Sequence, residues 1–263
     1  MDIIVFVKRV PDTSEADINI SPDGLHIIEK DLVFDINESD KYAVEEAVQI
    51  KEKLGGSVTA ITLGTDSSED VLRRCLATGV DQAIRLTDEA FRDSDACGTA
   101  RVLAAAVKDL KYDLILTGVQ ANDDLQSQVG PVLAEYLGLL HVTVVNKLEI
   151  DGKIARVHRE LEGGVEDVLE VRLPAVLTIQ TGINEPRYVS IMGIRKASRL
   201  EIKVRNAADL SLSPDGVGQK ASQVKIEKLF IPVSNKATEI LTGSLDEMTQ
   251  KLAGIIKEKG GIS

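Results

Sequence analysis

The chain has 263 residues, with 31 Lys and Arg against 42 Asp and Glu, and its formal net charge is −11. This acidic balance argues against a nucleic-acid-binding protein, because contact with a phosphate backbone needs clustered Lys and Arg. Aromatic residues make up 3% of the chain and Trp is absent, so a platform on which bases stack is not expected. A hydrophobic content of 43% is typical of a globular chain and too high for a disordered one.

Cysteine and histidine usage argues against a disulfide framework and against a metal site. Cys75 and Cys97 lie in no CxxC motif and are expected to be buried small side chains in a reducing compartment. His26, His141 and His158 are too scattered for a zinc site. No apolar run approaches the ~20 residues of a membrane span, and the N-terminus lacks a basic leader. We therefore expect no membrane insertion and a cytoplasmic location, bacterial or archaeal, or its mitochondrial-matrix equivalent.

Short apolar runs alternate with amphipathic segments in the first half of the chain. The runs predict buried strands at residues 3–10, 58–63, 82–86 and 113–117. The amphipathic segments predict helices at residues 38–54, 68–77 and 95–110. Strand and helix repeated at this pace predict an α/β fold with a doubly wound, mostly parallel sheet, in which ligands bind beyond the carboxyl ends of the strands.

Two hairpins are predicted to interrupt this rhythm. The turn residues 21–24 (SPDG) separate two short apolar runs and predict a hairpin inserted after the first strand. After a helical pattern at residues 126–137, the strand patterns 142–150 and 153–160 flank Asp151-Gly152. This Asp-Gly pair predicts an antiparallel patch added to the parallel sheet.

The organisation changes after Pro186. Residues 187 to about 232 show little regular periodicity, and a helical pattern returns at residues 244–257. We predict an α/β nucleotide-binding domain over residues 1–186, and a recognition loop, extended arm and C-terminal helix over residues 187–263 that pack on a partner. Residues 185–205 hold six basic and two acidic side chains, so this stretch carries +4 within an acidic chain. It is either a solvated face or a docking surface for an acidic partner.

One loop has the chemistry of a nucleotide site. GVQANDDLQSQVGP, residues 118–131, follows a buried strand and leads into a helix. Its glycine turn, amides and hydroxyl surround a helix N-terminus, where free backbone N–H groups attract phosphate. Asp123 and Asp124 would repel a phosphate directly in front of them, so they either cap the helix or hold ribose and adenine. The loop is either a nucleotide site or an ordinary capped turn. The GxGxxG dinucleotide motif, a Walker loop and a Ser/His/Asp order are absent from the sequence.

Several motifs together resemble the beta subunit of electron transfer flavoprotein, the ETF beta and FixA family, and most resemble its AMP-binding bacterial type. They stand in the family's order from about residue 4 to about residue 200. They read VKRVPD, DINESDKYAVEEAVQIKE, GVQANDDLQSQVGP, RELEGGVEDVLEVRLPAVLTIQ and GINEPRYVSIMGIRKA.

The resemblance implies an adenine nucleotide alpha-hydrolase-like fold and a heterodimer. The ETF alpha subunit would hold most of a redox-active FAD, and this chain would bind AMP as a structural group. Near the flavin the resemblance places Glu160 and, less well matched, Thr13. The residues implied to bind AMP are Phe6, Val7, Asn37, Leu63, Gly118, Val119, Gln120, Ala121, Asn122, Asp123, Asp124, Leu125, Gln126, Ser127, Gln128 and Val129.

The resemblance also implies partners and a role. Residues 188–199 match a loop that anchors a flavin-dependent dehydrogenase of the acyl-CoA or amine type, with Ile191 as an apolar plug in a charged rim. The other recognition residues are Tyr188, Met192, Arg195, Lys196 and Arg199. Electrons would pass to an acceptor such as an ETF:quinone oxidoreductase, as in fatty acid oxidation. The chain would act as an electron carrier subunit and not an enzyme, and it would have no catalytic residue.

Two alternatives stay open. An electron-bifurcating beta subunit would bind a second FAD in place of AMP, and the VPDT stretch of residues 10–13 is shared with such sequences. A stand-alone, universal-stress-like module would also explain the sheet and the phosphate loop, but it would leave the long C-terminal arm without a role.

Overall fold

The computed structural model describes residues 1–13, 18–232, 238 and 240–260. It contains two compact units, Met1–Glu227 and Lys228–Ser263. The predicted division at residue 187 concerns a partner and stays a prediction. Among the described residues, no helix has the length and apolarity needed to cross a membrane.

A nine-stranded sheet organises the first unit, as the alternating sequence pattern predicted. Its strands are β1 (Asp2–Phe6), β4 (Ser57–Leu63), β5 (Gln82–Leu86), β6 (Leu114–Gly118), β7 (Leu140–Asp151), β8 (Ile154–Glu160), β9 (Glu166–Arg172), β10 (Ala175–Ile179) and β11 (Ile202–Arg205). The strand order is β11-β5-β4-β1-β6-β10-β7-β8-β9, parallel from β11 to β7 and antiparallel from β7 to β9. The mostly parallel α/β fold and the added antiparallel patch are therefore confirmed.

Helices cover both faces of the sheet, so each central strand is buried on two sides. On one face lie α1 (Glu38–Leu54), α2 (Glu69–Thr78) and α5 (Ile191–Ala197), over strand residues such as Ile3 and Val5. On the other face lie α3 (Ala96–Val107) and α4 (Val129–Leu137), over Ile4 and Phe6. Consecutive apolar residues of β1 thus serve opposite cores, which is why its sequence is continuously hydrophobic.

The first predicted strand is shorter than the apolar run suggested. The main-sheet strand β1 ends at Phe6, and Arg9–Pro11 forms β2, which pairs antiparallel with β3 (Phe34–Ile36) in a separate two-stranded sheet. The predicted hairpin is represented by a single bridge between Ile20 and Ile27. Residues 14–17 of that stretch lie outside the described part of the chain.

Regular structure continues after Pro186, where the sequence pattern indicated little. α5, β11 and the short helix α6 (Gly218–Ala221) lie in this stretch, and β11 pairs in parallel with β5 at the edge of the sheet. Ala207, Leu210 and Val217 pack in the core beneath α3. Residues 191–221 are therefore integrated into the first unit.

The second unit contains α7 (Leu245–Glu258), at the position where the helical pattern predicted it. The Ser244 hydroxyl accepts a hydrogen bond from the Glu247 backbone, and the Glu247 carboxylate accepts one from the Ser244 backbone. This reciprocal capping box fixes the start of the helix.

Candidate functional site

A cavity of about 220 Å³ lies at the carboxyl edge of the sheet. The ends of β1, β4 and β6 and the first residues of α1, α3 and α4 form its walls. β1 stands between β4 and β6, and α1 and α3 pack on opposite faces of the sheet. The cavity therefore opens where the connections diverge to the two faces, which is the place where folds of this architecture bind ligands.

The start of α1 holds the loop that follows β6. The buried Asn37 side chain donates to the carbonyl oxygen of Gln120 at 2.8 Å and accepts from the backbone N–H of Asn122 at 2.9 Å. The Ser39 hydroxyl donates to the same carbonyl oxygen at 2.8 Å. The two side chains thus form the hydrogen bonds that the Gln120 carbonyl oxygen and the Asn122 N–H would otherwise need from water.

Asp40 is a buried carboxyl group in the wall of the cavity, with 6% of its surface exposed. One oxygen accepts from the backbone N–H of Lys8 at 2.8 Å, and the other accepts from that of Gly118 at 3.0 Å. Burial raises the pKa of Asp40 to about 7, and the hydrogen bonds from Lys8, Asn37 and Gly118 act against that rise. The group therefore titrates near neutrality while it joins three segments of the site.

Lys8 extends from the end of β1 to the two aspartates of the loop. Its ammonium group lies 2.7 Å from an oxygen of Asp123 and 2.9 Å from an oxygen of Asp124. Burial acts to lower the pKa of Lys8, but the two carboxylates outweigh burial and raise it. The ion pairs thus neutralise much of the acidic charge that the sequence places in front of a phosphate.

The loop reaches α4 through two residues in the left-handed region, Leu125 with φ 52° and Ser127 with φ 55°. The side chain of Gln128, at the N-cap of α4, makes no capping hydrogen bond. Asp95, by contrast, caps α3 by accepting from the Gly98 N–H at 2.8 Å. Gln128, Val129 and Gly130 at the start of α4 line the cavity, and the free backbone N–H groups and positive dipole end of a helix N-terminus suit an anionic ligand.

Gly118 and Gly130 are required by close packing around the cavity. A Cβ on Gly118 would lie 2.2 Å from an Asp40 carboxylate oxygen and 2.3 Å from the Ser39 hydroxyl. A Cβ on Gly130 would lie 2.5 Å from a methyl carbon of Thr178. A side chain at either position would push α1 or β10 away from the loop.

The structure brings most of the predicted AMP residues to this one cavity. Asn122, Asp123 and Leu125 belong to the same loop but do not line it. Those that do are Phe6, Val7, Asn37, Leu63, Gly118, Val119, Gln120, Ala121, Asp124, Gln126, Ser127, Gln128 and Val129.

Sequence reasoning missed part of the lining. Thr117 directly precedes the predicted loop and Gly130 lies within it, so that motif could have indicated both. Asp40 carries no such local signal. No local signal marked the α3 side of the cavity. The additional lining residues are Lys8, Asp40, Ile61, Ser94, Asp95, Ala96, Thr99, Leu103, Thr117 and Gly130.

The two residues predicted near a flavin lie outside this cavity lining. Thr13 is exposed beyond β2. Glu160 is exposed at the end of β8, where it pairs with Glu166 of β9. They stand on or next to elements other than those that form the cavity.

A second surface feature is the segment of residues 188–199, here called the docking segment. Its side chains Tyr188, Ile191 and Met192 are 95%, 83% and 82% exposed. Arg195, Lys196 and Arg199 are exposed beside them, and Ser190 caps α5 by accepting from the Gly193 N–H at 3.0 Å. Large exposed apolar side chains with a basic rim are typical of a protein interaction site.

The basic charge of this region is more local than the sequence count indicated. Arg187 is paired with Glu45 and Glu52, and Arg205 donates to the carbonyl oxygens of Ala106 and Asp209. Three of the six basic residues, Arg195, Lys196 and Arg199, therefore lie exposed within the docking segment, and Lys203 is exposed outside it.

In the described ranges, no group of three or more His, Cys, Asp or Glu side chains is placed so that it could hold a metal ion. Cys75 is buried and Cys97 is half-buried, and both are free thiols. Burial raises the pKa of Cys75, so this thiol stays protonated and unreactive.

The amino-acid sequence of this chain is similar to those of several known proteins. The family model of the electron transfer flavoprotein domain matches residues 24–210. The chain is 42% identical over 253 residues to the electron transfer flavoprotein subunit beta of Thermoanaerobacterium thermosaccharolyticum, covering 96% of each chain. It is 38% identical over 266 residues to the same-named subunit of Methylophilus methylotrophus, covering 99% of this chain and 100% of the relative. It is also 38% identical over 262 residues to the caffeyl-CoA reductase-Etf complex subunit CarD of Acetobacterium woodii, covering 98% and 99%.

Proposed function

The chain belongs to the electron transfer flavoprotein family, on the branch of its beta subunits and FixA proteins, and on that premise we propose that it is one half of a heterodimeric electron carrier. Membership gives it a role in electron transfer and an association with flavin. Its partner subunit is of the ETF alpha type, as the names of the relatives imply. Similarity along nearly the whole chain favours this assignment over a stand-alone adenine-nucleotide-binding module.

We place AMP in the cavity at the carboxyl edge of the sheet. The observation that carries this proposal is the convergence of Phe6, Asn37, Leu63 and the loop after β6 on one cavity. The phosphate lies at the first turn of α4, and the ribose and adenine lie toward β1 and β4.

The redox group is an FAD held mainly by the alpha-type subunit, and Glu160 and Thr13 approach it from this chain. FAD supplies the one- and two-electron chemistry when it is bound. This chain supports the flavin-bearing partner through its antiparallel patch. It carries no catalytic residue of its own in this proposal.

The docking segment binds the electron donor, a flavin-dependent dehydrogenase of the acyl-CoA or amine type. Ile191 enters an apolar pocket of the donor, while Arg195, Lys196 and Arg199 meet an acidic rim. The acceptor is a downstream protein such as an ETF:quinone oxidoreductase. A small docking surface suits this duty, because a carrier must release each partner before it binds the next.

An electron-bifurcating subunit with a second FAD in the cavity is the alternative. The similarity to the CarD subunit of a reductase complex, equal in identity to that of the Methylophilus methylotrophus subunit, keeps it open.

Counting the nucleotides separates these functions. The chain is co-expressed with its alpha-type subunit, and the purified complex is extracted with acid and analysed by chromatography. One FAD and one AMP per heterodimer are expected. Two FAD per heterodimer would establish the bifurcating alternative, and a colourless homodimer that binds ATP would overturn the carrier assignment.

A further inference from the structure

Two cationic side chains tie the ends of the docking segment to α1 and α2. Arg187 precedes the segment and Arg73 of α2 lies beneath its end, where its guanidinium group donates to the carbonyl oxygens of Ala197, at 2.9 Å, and of Leu200. Arg73 belongs to α2, and Arg187 forms ion pairs with α1. Both helices contribute buried residues to the core. The segment is therefore anchored at both ends by hydrogen-bonded charges.

Arg187 binds two carboxylates of α1 through paired hydrogen bonds. Its guanidinium group binds the Glu45 carboxylate at 2.9 and 3.0 Å and the Glu52 carboxylate at 2.7 and 3.0 Å. The backbone N–H of Arg187 also donates to Glu45, at 3.2 Å. Glu45 and Glu52 lie two helical turns apart on one face of α1, and the planar guanidinium fork of Arg187 offers two donors to each carboxylate.

Burial makes this pairing strong. Glu45 is 3% exposed on its side chain, so its charge is compensated by Arg187 rather than by water. Burial acts to raise the pKa of Glu45, yet the hydrogen bonds from Arg187 and Gln49 lower it overall. The ion pair is therefore formed throughout the neutral range.

Residues 188–190, between Arg187 and α5, lie beside a cavity, whereas α5 itself packs on α2 and buries Ala197 in the core. A cavity of about 920 Å³ lies between this segment and the helices, and Val44, Ala77, Val189 and Ile194 are among its lining residues. Close approach to α2 occurs at Gly193, where a Cβ would lie 2.8 Å from the carbonyl oxygen of Ala77. Residues 188–192 thus extend between the Arg187 anchor and this contact.

We propose that Arg187 is a positioning residue for partner docking: by binding Glu45 and Glu52 it fixes where Tyr188, Ile191 and Met192 stand on the surface. This inference rests on the proposed docking function of residues 188–199. Arg187 itself contributes no charge to the partner, because two carboxylates of its own chain engage it. Loss of the anchor leaves the apolar side chains present but spread over several positions, so each productive encounter costs more conformational entropy.

The test uses the co-purified heterodimer, reduced by the acyl-CoA dehydrogenase of the same organism with butyryl-CoA as the electron source. We expect Arg187→Met to raise the KM for the heterodimer about tenfold. The kcat and the flavin content should stay within about twofold, because the residue does not touch the reacting groups. Arg92→Met is the matched control, since Arg92 forms an exposed pair with Glu89.

A double variant distinguishes an effect on the position of the docking segment from an effect on the stability of the fold. Arg187→Met alone leaves the buried Glu45 charge unpaired and lowers the unfolding temperature, whereas Glu45→Gln with Arg187→Met removes that charge. We expect the double variant to regain thermal stability while its KM stays high. If Arg187→Met fails to fold, Arg187→Lys keeps the charge without the fork, and its KM should rise as well.

Each outcome is decisive. A KM that returns to the wild-type value together with stability in the double variant, or a KM unchanged by Arg187→Met or Arg187→Lys, overturns the positioning role while the proposed function stands. A wild-type heterodimer that neither this acyl-CoA dehydrogenase nor an amine dehydrogenase of the same organism can reduce overturns the docking function and the positioning role with it.

Discussion

The backbone N–H of Gly118 donates to a carboxylate oxygen of Asp40 across 3.0 Å, although 78 positions of sequence separate the two residues. The second oxygen of the same carboxylate accepts from the backbone of Lys8. One buried side chain therefore joins the end of β1, the start of α1 and the loop proposed to bind AMP. The pKa of this carboxyl group is therefore set by its burial in the folded chain.

Asp40→Asn is expected to remove one component of the pH dependence of stability. Burial raises the pKa of Asp40 from 3.8 to about 7, so between these values the folded state keeps a proton that the unfolded chain has released. The contribution of Asp40 to the free energy of unfolding therefore falls as the pH rises through this window. The difference in thermal midpoint between wild-type and Asp40→Asn heterodimers should shrink from pH 4.5 to pH 7.5, two values placed at about the ends of that window.

Asp88→Asn is the control, and its difference in thermal midpoint from the wild type should stay constant over the same pH window, because Asp88 titrates below it. Hydrogen bonds from the backbone of Ala90 and Ala207 lower the pKa of Asp88, so its contribution is present at neutral pH and is lost as the pH falls through the lowered value. A wild-type minus Asp40→Asn difference that stays constant over the whole window would contradict the assignment.

Gly118→Ala is expected to abolish AMP retention. The added methyl group meets Asp40 and Ser39 closer than any van der Waals contact allows, so α1 and the loop must separate. AMP released from the purified heterodimer by acid, measured by chromatography, should drop to a trace. Gly254→Ala in α7 is the control: no atom lies within 4 Å of its Cβ position, and the substitution should raise stability by up to about 1 kcal/mol. Full AMP content in Gly118→Ala would argue against the loop as the binding site.

Lys8→Met is expected to weaken AMP binding by roughly tenfold, equivalent to about 1.4 kcal/mol. Without the ammonium group, the carboxylates of Asp123 and Asp124 are left uncompensated and repel both each other and a phosphate. Titration of nucleotide-depleted heterodimer with AMP by calorimetry measures the change. Lys111→Met, which breaks the exposed pair with Asp2, should leave the affinity as it is. Equal losses in the two variants would indicate a general effect of charge.

Ile191→Ala is expected to slow reduction by the dehydrogenase while the flavin content stays the same. The Ile191 side chain is 83% exposed, so its removal costs little stability. It does delete a central apolar contact with the proposed donor. A loss of about tenfold in kcat/KM corresponds to about 1.4 kcal/mol of docking free energy. Val33→Ala removes a comparably exposed aliphatic side chain outside the docking segment and serves as the control. Normal reduction of Ile191→Ala would remove Ile191 from the docking surface.

The nucleotide loop could be predicted from sequence because its signals are local. A buried strand, a glycine and a cluster of amides before a helix lie within one short stretch, residues 113–131. Asn37 and Leu63 came from the family resemblance and not from any pattern of their own. Those residues now stand in one cavity because β1, β4 and β6 are neighbours in the sheet.

Asp40 and Arg187 could not be predicted, because their roles depend on partners far away in the chain. Asp40 looks like any acidic residue in the first turn of a helix, and its burial results from packing against Gly118. Arg187 looks like one of six basic residues of a docking patch, yet Glu45 and Glu52 neutralise it. Short elements were missed for a related reason: β11 has four residues and gains its stability from pairing with β5.

The antiparallel extension of the sheet has a consequence for solubility. β9 is its outermost strand, and an outer strand offers its backbone to any other strand that approaches. Four of its seven residues are charged, and three of those, Glu166, Asp167 and Glu170, are acidic. Two copies that met edge to edge would bring these carboxylates together, so the extension protects each molecule against growth into aggregates while its faces stay available for a different subunit.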